Sequence, residues 1–108
     1  MNMTNKFLSY LQFEKRYSPH TLLAYKNDLI SFSVFLEDTY EISSVEQATA
    51  VMIRSWIVNL MDEGMKARSI NRKISTIKAF YNYLLREKVV KDSPVRQIHT
   101  LKQAQQIP

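Results

Sequence analysis

The sequence of 108 residues contains no cysteine, one glycine and three prolines. Without cysteine, neither a disulfide framework nor a thiolate metal site is possible, so burial of apolar side chains has to hold the fold. The hairpins of a many-stranded sheet usually need glycine or Asn-Gly pairs, and one glycine cannot supply them. We therefore expect an all-α fold, a compact bundle of four to five helices.

Long apolar runs are also missing, since no segment approaches the ~20 apolar residues that span a bilayer. The N-terminal residues Met1 to Lys6 are not followed by an apolar stretch of signal-peptide length. These absences predict a cytoplasmic protein with no membrane partner. Hydrophobic residues make up 45% of the chain, which is enough for the core of one domain.

Hydrophobic periodicity divides the chain into four main helices. The predicted spans are about Thr4 to Lys15 or Arg16, Pro19 to about Glu37, a third helix beginning after Thr49, and about Ala67 to Arg86. Ser18 is a preferred N-cap and Pro19 suits a first helical turn. Gly64 is expected to end the third helix in a left-handed conformation.

The remaining segments are predicted as connections. The acidic stretch from Asp38 to about Gln47 reads as a solvated loop, and Asp92-Ser93-Pro94 as a turn that opens a short fifth helix near Val95 to Ile98. Residues 100–108 are polar and have no period. We predict one helical domain over residues 1–99 and the start of an interdomain linker over residues 100–108.

Positive charge is concentrated in one quarter of the chain, from Lys66 to Lys91. Eight of the 15 Lys and Arg residues lie there against a single acid, Glu87, so the rest of the chain holds more acids than bases. The whole formal net charge of +5 therefore comes from this segment. A field polarised in this way most simply serves a polyanion, of which nucleic acid is the commonest.

The predicted fourth helix presents this charge along one side. Its outer face carries Arg68, Arg72, Ser75, Ala79, Asn82 and Arg86, with Asn71 and Lys78 at the border. Such side chains can neutralise phosphates or read base edges if the helix enters a major groove. The N-terminus of the second helix, with His20 and Thr21 in its first turn, is suited to a phosphate. The plainer interpretation is an ordinary solvated helix surface and an ordinary cap.

Catalytic side chains, by contrast, are scarce. His20 and His99 are the only histidines, and the acids are scattered over loops and helix ends. One glycine cannot build a phosphate-cradling loop. We therefore expect no catalytic residue, no metal and no cofactor in this chain. Tyr25 and Tyr81 are expected in the core, with their hydroxyls near the surface.

Two stretches have a distinctive spacing. The first is Ser18-Pro19-His20-Thr21 followed by Tyr25, Asp28-Leu29 and Phe32. The second runs from Gly64 through Ala67-Arg68-Ser69-Ile70 and Ile74-Ser75-Thr76-Ile77-Lys78-Ala79-Phe80-Tyr81, then Tyr83-Leu84, to Asp92-Ser93-Pro94. Together they resemble the N-terminal core-binding domain of the tyrosine recombinases, the phage-integrase family, and especially its Xer type. The resemblance covers nearly the whole chain.

The resemblance implies a SAM-like domain that clamps one face of duplex DNA while a C-terminal catalytic domain clamps the other. In that family, helices two and four lie against the major groove. The matching positions in this sequence are Ser18, His20, Thr21, Tyr25 and Lys26 on helix two, and Lys66, Arg68, Ser69, Asn71, Arg72, Ser75, Thr76 and Lys78 on helix four. Because relatives often carry Ser or Thr where Lys66 stands, helix four is expected to begin without a side-chain cap.

The resemblance also implies the partners and the reaction of a full-length relative. The partners would be double-stranded DNA and other recombinase protomers in a tetrameric synapse, with no small-molecule substrate. Cleavage by a tyrosine, through a 3′-phosphotyrosyl intermediate and without metal or cofactor, belongs to the C-terminal domain. This chain alone is therefore expected to bind DNA and not to cleave it.

Two other functions stay open from the residues. A helical protein-interaction module would dock a partner helix on Leu23, Ile30, Val34 and Trp56. A small helix-turn-helix regulator is the other alternative. The target site and the biological role, whether chromosome dimer resolution, integration or inversion, do not follow from periodicity, although the Xer resemblance favours resolution.

Overall fold

Four α-helices surround one hydrophobic core in the computed structural model, which describes residues 3–102. The helices are α1 (Met3–Phe13), α2 (Pro19–Tyr40), α3 (Ala50–Asp62) and α4 (Ala67–Arg86), and a 3-10 turn at Val45–Gln47 precedes α3. No strand occurs within these residues. The expected all-α bundle is confirmed, with α2 packed against the other three helices.

Side-chain caps fix the starts of α2 and α3, as the sequence predicts. The Ser18 hydroxyl oxygen accepts a hydrogen bond from the Thr21 N–H at 3.3 Å, and Pro19 is the first residue of α2. The Thr49 hydroxyl oxygen accepts one from the Met52 N–H at 3.3 Å. Both caps satisfy a backbone donor that has no partner inside its helix.

The ends of the helices agree less well with the prediction than their starts. Gly64 follows α3 with a φ of 87°, which confirms the expected left-handed residue. However, α1 ends earlier than predicted and α2 continues to Tyr40, so the loop predicted from Asp38 begins too early. Arg16 and Glu41 adopt a φ of 56° after these two helices. Neither is glycine, so the sequence carries no stop signal at either place.

The predicted fifth helix near Val95 to Ile98 is wrong. Residues 94–97 form a turn, closed by hydrogen bonds from the Arg96 N–H to the Ser93 carbonyl (3.3 Å) and from the Ile98 N–H to the Val95 carbonyl (3.1 Å). Val95 and Ile98 are nevertheless buried in the core. A spacing of three buries both side chains from a single turn, which is why the apolar pattern resembles a helix.

The core is built mainly on the inner face of α4. Its predicted apolar positions are buried except for Leu85, which is half-buried: Ile70, Ile74, Ile77, Tyr81 and Leu84. Phe7 of α1 packs edge-on against Phe80 of α4, with ring centroids 5.4 Å apart. These contacts between distant segments tie α1 to α4 and bury large aromatic surfaces.

Two large aromatic side chains, Tyr81 and Trp56, are fully buried. Tyr81 lies in the core as expected, its hydroxyl donates to the half-buried Val45 carbonyl at 2.6 Å, and burial raises the pKa of this phenol. Trp56 is 1% exposed. It therefore cannot belong to a docking surface, whereas Leu23 and Ile30 stay largely exposed on α2.

The described residues end at Lys102, so most of the predicted linker at residues 100–108 lies outside them. Within residues 3–102, no helix is long and apolar enough to cross a bilayer.

Candidate nucleic-acid interface

The first turns of α2 and the first half of α4 lie side by side and form an open groove of about 350 Å³. The lining residues are His20, Thr21, Ala24, Tyr25 and Asp28 from α2, and Arg72, Ser75 and Thr76 from α4. Six of the thirteen predicted DNA-contacting positions are therefore brought together, although the two helices are far apart in sequence.

The α2 side of the groove is a helix N-terminus. The Ser18 hydroxyl accepts a hydrogen bond from the Thr21 N–H, and Pro19 has no N–H. The His20 N–H is therefore the donor of the first turn that no helical hydrogen bond uses. The His20 side chain is exposed beside it. Tyr25 is half-buried, and burial, with Tyr17 nearby, raises the pKa of its phenol. This wall therefore offers donors to an anion.

The α4 side begins with exposed polar and basic residues. Lys66 precedes the helix and makes no side-chain capping bond, as predicted. Arg68 and Ser69 follow in the first turn and are exposed, and Ser75 is exposed farther along. Within the described part of the chain, Arg68 forms no ion pair. Its charge is therefore available to an external anion.

A buried ionic cluster lies at the base of the groove. Asp28 is 1% exposed, and its Oδ1 accepts hydrogen bonds from Arg72 Nη2 and Lys73 Nζ, both at 2.9 Å. Its Oδ2 accepts one from the Thr76 hydroxyl at 2.8 Å. A buried carboxylate needs such partners, because an unpaired charge in the interior costs several kcal/mol. The cluster thus joins α2 to α4.

Sequence reasoning missed this cluster, although a signal was present. Asp28 precedes buried Leu29 and lies four residues before buried Phe32, and Lys73 lies between buried Ile70 and Ile77. A charged residue on the inner face of each of two helices indicates a pair between them. The exposed charge of α4 is smaller than counted from the sequence, because Lys73 is 9% exposed and belongs to the interior.

Thr76 is the clearest correction among the predicted DNA contacts. It was expected on the surface, but it is buried and its hydroxyl donates to Asp28. Its position on α4 turns it toward α2, whereas Ser75, one residue earlier, faces outward. Thr76 therefore supports the groove from below.

The Asn71 side chain forms hydrogen bonds with the backbone of the C-terminal segment instead of lying open on the surface. Its Nδ2 donates to the Leu101 carbonyl at 2.9 Å, and its Oδ1 accepts from the Leu101 N–H at 2.7 Å. These two bonds hold the C-terminal segment against the first half of α4. The amide that was expected to read DNA is therefore already satisfied by backbone.

Two further predicted positions lie outside the groove. Lys26 is on the flank of α2 that faces α1, near Thr4. Lys78 lines a separate depression together with Asn82 and Arg96.

Arg86, at the C-terminal end of the basic face, also contacts other side chains of the domain. The Arg86 guanidinium lies 4.3 Å from the centroid of the Tyr10 ring, and it pairs with Glu14 and Glu87 at 3.8 and 3.4 Å. The charge of Arg86 is thus less available to a ligand than that of Lys66 and Arg68 at the start of α4, which form no ion pair among the described residues. No group of His, Asp and Glu that could hold a metal occurs within residues 3–102.

Replacing Asn71 with alanine is expected to loosen the C-terminal segment without unfolding the bundle. Loss of both bonds to Leu101 should lower the exchange protection of the Leu101 amide by about 30-fold, from a net contribution of ~1 kcal/mol for each bond. Hydrogen exchange followed by NMR measures this. Asn82→Ala, at an exposed position of the same helix, is the matched control and should leave Leu101 unchanged. Equal exchange rates of the Leu101 amide in the two variants would contradict the hydrogen bonds between Asn71 and Leu101.

Fold and groove define a helical domain with an open polar groove between its second and fourth helices. Residues 4–88 match the family model described as phage integrase, N-terminal SAM-like domain. The chain belongs to this family, and its relatives place it with the Xer type of tyrosine recombinase, as the sequence motifs indicate.

The relatives are named tyrosine recombinases. Tyrosine recombinase XerC of Bacillus subtilis is 34% identical over 107 residues, which are 99% of this chain and 35% of the relative. XerC of Anoxybacillus flavithermus is 38% identical over 104 residues, 96% of this chain and 34% of the relative. The chain thus spans about a third of the length of these relatives. No solved structure gives a significant match.

Proposed function

We propose that this chain binds duplex DNA and directs a Xer-type tyrosine recombinase to its site. The observation that carries the proposal is the groove between α2 and α4, which gathers donors from two helices. Arg68 on α4 is exposed and forms no ion pair within residues 3–102. Helix α4 is 20 residues long, or about 30 Å. Its width of ~10–12 Å fits a major groove of ~12 Å.

The contacts divide into two kinds. Lys66 and Arg68 at the start of α4 are exposed and suited to phosphates, as are Ser18, which caps α2, and His20 in the first turn of α2. Arg72 and Ser75 line the groove, and we propose that they contact base edges. Phosphate contacts at both helix starts would set the register in which α4 meets the bases.

The remaining proposals concern the whole enzyme. Since the relatives are named tyrosine recombinases and are about three times longer, we propose that DNA strand cleavage and rejoining are carried out by a catalytic domain outside residues 1–108. Residues 100–108 would begin the linker to it, and residues 1–99 form the DNA-binding domain. Other protomers would be partners in a tetrameric synapse, in the cytoplasm, with chromosome dimer resolution as the favoured role.

The first test is the salt dependence of binding to duplex DNA. With around four to six phosphate contacts, the logarithm of the association constant should fall with the logarithm of salt concentration with a slope of about −4 to −5. Fluorescence anisotropy of a labelled duplex at several salt concentrations measures it. A flat response would reject DNA binding through this face.

A variant comparison tests the location of the face. Arg68→Ala should weaken binding to every duplex and reduce the slope by about one, because one phosphate contact is lost. Lys6→Ala removes a comparable exposed charge from α1 and should leave affinity unchanged within about twofold, at the scale of screened surface charges. Equal losses in the two variants would mean that binding responds only to net charge.

A further inference from the structure

We propose that Arg72 reads a base edge in the major groove, and that Asp28 holds its guanidinium in position to do so. This inference rests on the proposed DNA-binding function and adds a specificity-determining residue with its positioning partner. It starts from the contrast between two arginines of α4. Arg68 is unpaired within residues 3–102, whereas Arg72 is tethered to a buried carboxylate.

The tether is rigid because Asp28 is held at both oxygens. Lys73 binds Oδ1 and Thr76 binds Oδ2, and all three residues are buried between α2 and α4. The carboxylate therefore cannot rotate without breaking a bond. Arg72 Nη2 donates a hydrogen bond to Oδ1 at 2.9 Å, so the packing of α2 against α4 fixes the position of the guanidinium.

Most of the Arg72 guanidinium stays available. A guanidinium has five N–H donors, and a single hydrogen bond to Asp28 uses one of them. The side chain is 55% exposed and lines the groove. Its planar fork matches the O6 and N7 acceptors of guanine, which is the commonest specific contact of arginine in a major groove. The geometry therefore favours a G·C base pair as the partner.

The charge of the cluster also suits DNA. Lys73 neutralises Asp28 in the interior, so the positive charge of Arg72 remains for the ligand. A side chain that is already fixed loses less rotamer entropy when it binds. Arg68 has no such support, which suits it to phosphates, where an approximate position is sufficient.

The experiment begins by selecting a preferred duplex from a randomised pool with the wild-type chain. Dissociation constants are then measured for that duplex and for each of its single-base-pair variants. At one G·C pair, the wild type should discriminate by about 5- to 150-fold, as for a bidentate contact. Arg72→Lys, which keeps the charge, should reduce that discrimination to less than about threefold and leave the other positions and the salt slope unchanged.

Arg68→Ala is the matched control on the same helix. It should weaken binding to all duplexes alike and preserve discrimination at every base pair. If Arg72→Lys behaves in the same way, Arg72 is a phosphate contact and the base-reading role is overturned.

The positioning role is tested by removing the buried pair as a unit. Asp28→Leu combined with Lys73→Met leaves no unpaired charge in the interior, and the Thr76 hydroxyl can turn to the Arg72 carbonyl, which is already 3.3 Å away. If this double variant is folded by circular dichroism, it should lose discrimination at the same base pair as Arg72→Lys. Full discrimination with a folded variant overturns the role of Asp28. If the double variant does not fold, Arg72→Lys still decides the base-reading role. Thr76→Val, which removes the hydrogen bond to Oδ2, then decides the positioning role: loss of discrimination at the same base pair supports it and full discrimination overturns it.

Failure of this inference is separate from failure of the proposed function. A wild-type chain that binds duplex DNA with a steep salt dependence but shows no base preference overturns base reading alone. A wild-type chain that binds no duplex rejects the proposed function itself.

Discussion

Asp28→Ala is expected to destabilise the domain by about 3–5 kcal/mol, because it leaves Lys73 buried without a counter-charge. Domains of this size are stable by only ~5–15 kcal/mol, so the variant should lie close to the threshold of folding. Arg72 is exposed enough to be solvated, and Thr76 has a second acceptor nearby, so the loss centres on Lys73.

Urea unfolding monitored by circular dichroism measures the change. Lys73→Met added to Asp28→Ala should recover most of the lost stability, since an apolar side chain replaces an unpaired buried charge. Asp38→Ala removes an exposed acid from the same helix and should change the free energy of unfolding by no more than about 0.5 kcal/mol. A loss below about 1 kcal/mol in Asp28→Ala would show that Lys73 reaches solvent.

The second large effect is expected for Trp56→Ala, at about 3–5 kcal/mol, as for large aromatic side chains removed from a core. Trp56 is nearly fully buried, and its ring centroid lies 4.9 Å from that of Phe32 on α2. The cavity would open between α2 and α3. The two helices cannot close together to fill the space that one side chain leaves. Thermal unfolding by circular dichroism measures the loss, because the variant has no tryptophan fluorescence.

Val58→Ala is the control for this prediction, since Val58 is exposed on the same helix and should change stability by no more than about 0.5 kcal/mol. At temperatures where Trp56→Ala remains folded, its affinity for duplex DNA should equal that of the wild type. A folded variant with full stability would instead place Trp56 on a surface, as the protein-interaction hypothesis requires.

Local signals predicted the helices well where the chemistry is local. The cap at Ser18, the left-handed Gly64 and the span of α4 all follow from residues within one or two turns of each other. The ends of α1 and α2 were predicted less well, because Arg16 and Glu41 adopt left-handed conformations that their side chains do not announce. Backbone hydrogen bonds close both ends instead, from the Tyr17 N–H to the Leu11 carbonyl (3.1 Å) and from the Ile42 N–H to the Leu36 carbonyl (3.3 Å).

The sequence by itself determined the four main helices, the concentration of positive charge near α4 and the membership of the family. Only the tertiary structure decided which of those charges face outward. Arg72 and Lys73 are neighbours in the chain, yet one lines the groove and the other is buried, because successive residues of a helix point about 100° apart. Their shared partner, Asp28, lies 44 and 45 residues away on α2, and a pairing at that distance depends on how the helices pack and not on any local period.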